Sequence, residues 1–182
     1  MLARVRDGDP GAYADLVRRH APVAIRTAAL LGAGADAEDV AQEAFVKAYA
    51  ALGRFRPDAP FRPWLLRIVA NETRNLHRSA GRRAAREQRA WAATAPLLLH
   101  GAGPDGGDVA AAVLGTARRE ALVAGLGRLS EPHRQVVTCR YLLDLDEAET
   151  AEVLGWPRGT VKSRLHRAIA ALRAHLEVDV DA

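Results

Sequence analysis

The sequence predicts an all-α protein made of two small helical domains joined by a flexible linker. Apolar residues recur at helical spacing in almost every periodic stretch, and the good helix formers Ala, Leu and Arg dominate the composition. A glycine-rich segment then interrupts this pattern near the middle of the chain. We expect a first domain over residues 1–89, the linker over 90–116, a second domain over 117–176 and a short acidic tail over 177–182.

Composition narrows the class of protein. The 182 residues include 26% charged and 49% hydrophobic residues, and the formal net charge of +4 favours a polyanionic partner. The single cysteine, Cys139, excludes an internal disulfide and a cysteine-rich zinc site. No apolar run approaches the roughly 18–20 residues of a membrane span, and the N-terminus lacks a signal-peptide core. We therefore expect a cytoplasmic protein with no cofactor, no metal and no membrane partner.

The segment DAEDVAQEAFVKAYAAL, residues 36–52, predicts an amphipathic helix in the first domain. Asp36 is its predicted N-cap, and acids in the first turn suit the helix dipole. Val40, Ala41, Ala44, Phe45, Ala48, Tyr49 and Leu52 form a predicted apolar ridge, and Asp39, Gln42, Glu43, Val46 and Lys47 occupy the other side. An acidic face with an exposed valine favours protein docking, and a plain solvated face is the alternative. A catalytic or metal site is disfavoured because no third ligand converges on Asp39 and Glu43.

A second stretch, FRPDAPFRPWLLRIVANETRNLHRSAGRRAAREQR over residues 55–89, carries a different chemistry. Eight arginines against two glutamates lie between residues 62 and 89. One helix face is predicted to carry Arg67, Asn71, Arg74, Asn75 and Arg78. Amides beside arginines, preceded by Phe55, Phe61 and Trp64, suit single-stranded or opened DNA, because bases stack and bond amides while arginines hold phosphates. The alternative is that these aromatic residues belong to the core, as we expect for Trp64.

Residues 143–173, LDLDEAETAEVLGWPRGTVKSRLHRAIAALR, predict a helix-turn-helix in the second domain. Asp146 and Glu149 form a predicted capping box, and Gly155 is a predicted C-terminal stop. Pro157 suits the first turn of the helix that follows. The preceding helix, for which Ser130 is the predicted cap, supports the motif.

The second helix of this motif has the composition of a DNA-reading helix. Residues 155–173 contain five Arg or Lys residues and no acid. Its outer side is predicted to carry Arg158, Thr160, Lys162, Ser163, Arg164 and Arg167. Because residues near the N-terminus of such a helix reach base edges, Arg158, Lys162 and Ser163 are the candidate base readers. The other three are candidate phosphate contacts. A basic solvated helix is the alternative, and the turn, caps and hydroxyls together disfavour it.

Taken together, these segments resemble the extracytoplasmic-function (ECF) group of bacterial sigma factors in its minimal two-domain form. The resemblance is carried by DAEDVAQEAF, by WLLRIVANETRNLHR, and by the segment from LSEPHRQVVTCRYLL to the end of the helix-turn-helix. Its most specific part is Gly159-Thr160-Val161-Lys162-Ser163-Arg164 followed by Arg167-Ala168. The three segments have the family's order and spacing over most of the chain.

The resemblance implies a non-enzymatic transcription initiation factor whose partners are core RNA polymerase and promoter DNA. Polymerase binding is implied for Asp39, Gln42, Glu43 and Phe45, with Val46 beside them. Capture of the melted −10 element is implied for Asn71, Arg74, Asn75 and Arg78, with Phe61 and Arg67 beside them. The −35 duplex is implied to contact Arg158, Thr160, Lys162, Ser163, Arg164 and Arg167. The family often has Asp where Asn75 stands and a branched aliphatic residue where Thr150 stands. An anti-sigma protein is a further candidate partner.

The linker length limits how the two domains can act together. Two DNA sites about two helical turns apart lie roughly 70 Å from each other. A relaxed coil of about 25 residues spans only ~25–30 Å, whereas the same chain fully extended reaches ~80 Å. Binding both sites at once therefore requires another molecule that holds the linker in an extended conformation. The free protein is predicted to be compact or flexible and to bind promoters poorly. The sequence leaves open whether the domains pack together.

Two other functions fit parts of the sequence. A helix-turn-helix repressor or activator would use the first domain to sense a ligand or to dimerise, but it needs neither the acidic helix nor the Asn/Arg helix. A helical hydrolase using Asp36, Asp39 and Glu43 with a metal is the least favoured.

Overall fold

The computed structural model describes residues 2–6, 8–56, 58–79 and 121–180, without the side chains of 79 and 177–180. Within these ranges the regular structure is entirely helical, as predicted. The helices are α1 (Leu2–Arg6), α2 (Pro10–Ala28), α3 (Ala37–Ala51), α4 (Phe61–Ser79), α5 (121–128), α6 (Glu131–Val137), α7 (Glu147–Leu154) and α8 (Arg158–Val180). The predicted linker, residues 90–116, lies outside the described residues. No helix in the described ranges is long and apolar enough to cross a membrane.

The first domain packs α2, α3 and α4 around a core rich in alanine. Asp9 caps α2 by accepting a hydrogen bond from the Ala12 backbone N–H at 3.1 Å. Between α2 and α3, Gly32 adopts a φ of 104°, and a Cβ there would lie 3.2 Å from a ring atom of His77. Only glycine fits this turn without strain. α3 begins where predicted, but the Asp36 side chain makes no capping hydrogen bond, so that part of the prediction is wrong.

The second domain contains the predicted helix-turn-helix, formed by α7 and α8. The capping box is confirmed: Asp146 accepts from the Glu149 N–H at 2.8 Å, and Glu149 accepts from the Asp146 N–H at 2.9 Å. Gly155 ends α7 with a left-handed φ of 68°, as predicted. Ser130 precedes α6 but makes no side-chain capping bond, contrary to expectation. α8 runs to Val180, so four residues assigned to the acidic tail are helical.

The two domains pack against each other, which answers the question that the sequence left open. Leu30, Leu31, Leu66 and Ala70 of the first domain share one buried cluster with apolar residues of α5 to α8. Helix α4 packs along α7. The apolar residues of α4 that do not face the first-domain core lie against the apolar residues of α7. Burying one leucine at such an interface contributes about 1.5–3 kcal/mol.

Two arginines of α4 donate hydrogen bonds across this domain interface. The Arg62 guanidinium donates to the Leu143 carbonyl oxygen at 2.6 Å. The Arg74 guanidinium donates to the Val153 carbonyl oxygen at 3.3 Å, near the C-terminus of α7. The free carbonyls at a helix C-terminus favour a cation, so both the hydrogen bond and the local dipole stabilise this contact.

Candidate nucleic-acid interface

Helix α8 presents most of its predicted DNA contacts to solvent. Val161 and Ala168 are fully buried on the inward side and fix the helix against α7 and α6. On the outer side Arg158, Lys162 and Arg167 are exposed, whereas Thr160, Ser163 and Arg164 are partly buried. The three cations are therefore accessible, and Arg158 and Lys162 lie in the first two turns of the helix, which suits major-groove entry.

Two of these side chains are already held in place. The Arg164 guanidinium lies 4.1 Å from the centroid of the Trp156 ring, a cation–π contact that positions its charge. Trp156 was not identified from the sequence, although its place in the turn before α8 was a usable signal. The Ser163 hydroxyl donates to the Thr160 carbonyl oxygen at 3.2 Å. Its oxygen can then still accept a hydrogen bond from DNA, but its proton is used within the helix.

Helix α4 brings four of its five predicted polar residues to the surface. Arg67, Asn71, Asn75 and Arg78 are exposed, as the helical spacing predicted. Arg74 differs, because it is partly buried and bonds to α7. Burial lowers the pKa of Arg74 from its ordinary value, and the neighbouring charges of Arg78 and Arg67 add to this effect. Arg74 stays a cation, but its charge is directed at protein rather than at solvent.

Two aromatic residues predicted to contact partners are buried in the described structure. Phe61, predicted to contact −10 DNA, is only 8% exposed and packs against Phe55 and Trp64 at ring distances of 5.9 and 5.5 Å. Phe45, predicted to contact polymerase, is 6% exposed and lies in the first-domain core. Both side chains lie on apolar helix ridges, where burial stabilises them, and their contacts to DNA and polymerase stay predictions.

The remaining polymerase-binding candidates share an exposed surface of α3. Asp39, Gln42, Glu43 and Val46 all lie there, and Val46 is 64% exposed. Tyr49, predicted for the apolar ridge, is instead 55% exposed and packs against Tyr13 in a tilted arrangement with a ring distance of 4.8 Å. Tyr49 extends the apolar part of this acidic surface.

A chain of charged contacts links α3 with α4. The Lys47 ammonium lies 3.3 Å from a Glu43 carboxylate oxygen and 2.6 Å from one of Glu72. The Asn75 amide donates to the other Glu72 oxygen at 3.3 Å, and Arg78 donates to the Asn75 oxygen at 3.0 Å. Neither Lys47 nor Glu72 was assigned a role from the sequence.

Two buried threonines of the second domain, Thr138 and Thr150, have hydroxyls without a hydrogen-bond partner among the described residues. Cys139 is fully buried in the same core, and this burial raises the pKa of its thiol to about 12. Among the described residues no group of three or more His, Cys, Asp or Glu side chains could hold a metal ion.

Comparison with known proteins shows that the segments containing α4 and α8 each match a region of the sigma-70 family. The sigma-70 region 2 model matches residues 16–83, and the sigma-70 region 4 model matches residues 119–172. The chain is 34% identical to RNA polymerase sigma factor CnrH of Cupriavidus metallidurans, over 98% of this chain and 94% of that protein. It is 32% identical to the ECF RNA polymerase sigma-E factor of Escherichia coli K12, over 94% of this chain and 90% of that protein.

Solved structures show the same architecture. The fold is similar to that of CnrH in complex with the cytosolic domain of CnrY, with a TM-score of 0.67 at 32% identity, covering 98% of this chain and 96% of that one. It is also similar to RpoE in complex with the anti-sigma factor NepR from Bartonella quintana, with a TM-score of 0.66 at 22% identity, covering 92% and 98%. The second likeness concerns the fold alone.

Proposed function

The chain belongs to the ECF group of RNA polymerase sigma factors, and from that premise we propose how its helices divide promoter recognition. The protein binds core RNA polymerase and directs promoter recognition, melting and the start of transcription. In our proposal α8 reads the −35 element as duplex, and α4 holds the melted −10 element. The helix-turn-helix regulator considered from sequence is not favoured.

The observation that carries this division is the different chemistry of the two exposed helix faces. α8 offers Arg158, Lys162 and Arg167 at the start of a helix, which suits guanine edges and phosphates in a groove. α4 offers the amides Asn71 and Asn75 between arginines, which suits unpaired bases whose hydrogen-bonding edges are free. A protein that binds only duplex has no use for the second set.

The polymerase contact is proposed for Asp39, Gln42, Glu43 and Val46 on α3. An exposed acidic surface that continues into the exposed apolar side chains of Val46 and Tyr49 fits a protein partner with basic residues beside an apolar groove. The same surface would repel DNA, which keeps the two functions of the first domain apart. The protein would act in the cytoplasm with its polymerase and have no catalytic activity of its own.

The packed arrangement of the domains fits a free state that is not engaged with both promoter elements. Arg74 is partly buried and directs one guanidinium N–H at the Val153 carbonyl oxygen, so its charge is turned toward α7 in the packed form. Two promoter elements about 70 Å apart also cannot be reached by domains in direct contact. We propose that polymerase separates the domains, and that a protein inhibitor of the CnrY or NepR kind would act on the packed form.

The test is reconstituted transcription with the full chain and core polymerase on genomic DNA. We expect RNA 5′ ends at defined positions that share two upstream hexamers. Fluorescence anisotropy on a promoter duplex separates the alternative, because a regulator would bind specifically without polymerase, whereas this protein needs it. Absence of defined start sites would overturn the proposal.

A further inference from the structure

Glu72 is an acid in the middle of a strongly basic helix, and its contacts indicate why it is there. It is one of two acids among eight arginines between residues 62 and 89. A carboxylate repels DNA phosphates, so α4 would attract DNA more strongly with a neutral residue at this position. Yet the Glu72 side chain is only 12% exposed and is held by contacts from two directions.

The first of these contacts fixes the orientation of the Asn75 amide. A carboxylate only accepts hydrogen bonds, so the Asn75 group facing Glu72 must be the NH₂. Nδ2 of Asn75 donates to Oε1 of Glu72 at 3.3 Å. On the opposite side Oδ1 of Asn75 accepts from Arg78 at 3.0 Å, and a guanidinium only donates. A flipped amide would meet acceptor with acceptor and donor with donor, so one orientation is strongly preferred.

The second contact fixes Glu72 itself. Lys47 of α3 donates to Oε2 of Glu72 at 2.6 Å, and this hydrogen bond is the main cause that raises the pKa of Lys47. The ammonium also offsets the negative charge of Glu72 beside the proposed DNA site. The carboxylate is thus neutralised from one side and directs an amide on the other.

A fixed amide distinguishes two classes of unpaired base. Adenine and cytosine present an amino donor beside a ring-nitrogen acceptor, whereas guanine and thymine present a carbonyl acceptor beside a ring N–H donor. Asn75 keeps one N–H and one oxygen lone pair after its contacts to Glu72 and Arg78. At a given base position only one of the two classes then matches the remaining donor and acceptor.

We propose that Glu72 is a positioning residue that sets the base preference of Asn75 at the −10 element, with Lys47 holding Glu72 in place. The proposal rests on the proposed function of α4. Its ligand is a single unpaired nucleobase of either the amino class or the keto class. Asn75 contacts the base, and Glu72 acts only through Asn75.

The experiment measures initiation from promoters that differ only in the base at each −10 position, using core polymerase and the full chain. In Glu72→Gln the new side chain can present a donor or an acceptor to Asn75, so one of the two contacts that fix the amide is lost. Only the exposed Arg78 then still favours the original orientation. We expect the ratio of initiation from amino-class promoters to initiation from keto-class promoters to move closer to one by roughly fivefold at one −10 position. This change corresponds to the free energy of one hydrogen bond. Lys47→Met should give a smaller change in the same direction, and Lys47→Arg should restore the preference.

The control is Glu38→Gln, which removes an exposed acid from the first turn of α3 without touching this network. It should leave the base preference unchanged. Thermal unfolding and −35 duplex binding of Glu72→Gln should also stay close to those of the unmodified protein. A uniform loss of output at all four bases, or an unchanged preference, would reduce Glu72 to a structural residue and overturn the inference.

A double-mutant cycle tests whether Glu72 acts through Asn75. Asn75→Ala should abolish the class preference at the affected position, and adding Glu72→Gln should then change nothing further. Additive effects would contradict the proposal. Failure of the unmodified protein to start at defined sites would instead overturn the proposed function, so the two failures are distinguishable.

Discussion

Helices α4 and α8 are both basic and both assigned to DNA, yet they stand in different states in the same molecule. The DNA-facing residues of α8 lie at the surface, and Arg164 is already positioned by Trp156. On α4, Arg74 bonds to the end of α7, and Leu66 and Ala70 are buried in the domain interface. In our proposal α8 is therefore accessible to duplex in the packed protein, whereas α4 is fully accessible to a single strand only after the domains separate.

The largest expected effect is that the two domains move apart when the protein binds polymerase. Dyes at Ala14→Cys on α2 and Ala174→Cys on α8, both exposed positions, should lie within about 40 Å in the free protein, the diameter of a compact chain of this size. On polymerase the domains should be about 70 Å apart, and energy transfer should fall to a small fraction. Cys139 will not compete for the dye, because it is fully buried and its thiol pKa is raised to about 12.

The matched control is the same labelled protein mixed with promoter duplex alone. Energy transfer between the dyes should then stay high, because DNA without polymerase does not hold the linker extended. High transfer in the presence of polymerase would contradict the proposed opening.

The next largest effect is expected on α8, whose exposed cations are accessible to duplex DNA in the packed protein. Lys162→Ala should weaken −35 duplex binding by the holoenzyme by about 1–3 kcal/mol, the cost of a lost base contact. Arg173→Ala removes an equally exposed cation about three turns further along the helix and should change binding far less. Gel-shift titration at fixed salt measures both. Equal losses would indicate a purely electrostatic attraction with no base reading.

A smaller effect is expected from loosening the interface that covers α4. Arg62→Ala removes the hydrogen bond to the Leu143 carbonyl and leaves that buried acceptor without its donor. We expect the packed state to lose about 1.5 kcal/mol, seen as lower energy transfer in the free protein. Arg67→Ala, on the exposed face of the same helix, should leave transfer unchanged. If both variants behaved alike, the contact would not stabilise the packed state.

The sequence predicted the helices and most exposed residues of both DNA faces, because helical spacing determines which side chains share a face. The capping box at Asp146 and the stop at Gly155 were confirmed, since both depend on local chemistry that the sequence displays. The burial of Phe61 and the engagement of Arg74 were missed. Both depend on which other helix packs against α4, and periodicity within one helix carries no information about that partner.

The smallest effect concerns Thr150 on α7, the helix that lies between the two DNA-binding helices. Its buried hydroxyl lacks a partner in the described structure, so Thr150→Val should remove an uncompensated polar group at nearly constant volume. We expect the free energy of unfolding to rise by about 1 kcal/mol in urea denaturation. Thr27→Val is the control, because the equally buried Thr27 hydroxyl donates to the Val23 carbonyl at 2.7 Å, and its loss should not stabilise the protein. A gain of equal size in both variants would mean that side-chain hydrophobicity, and not the unpaired hydroxyl, determines the effect. A gain in Thr150→Val alone would show that the unpaired hydroxyl lowers the stability of α7. This helix packs against both α8 and α4.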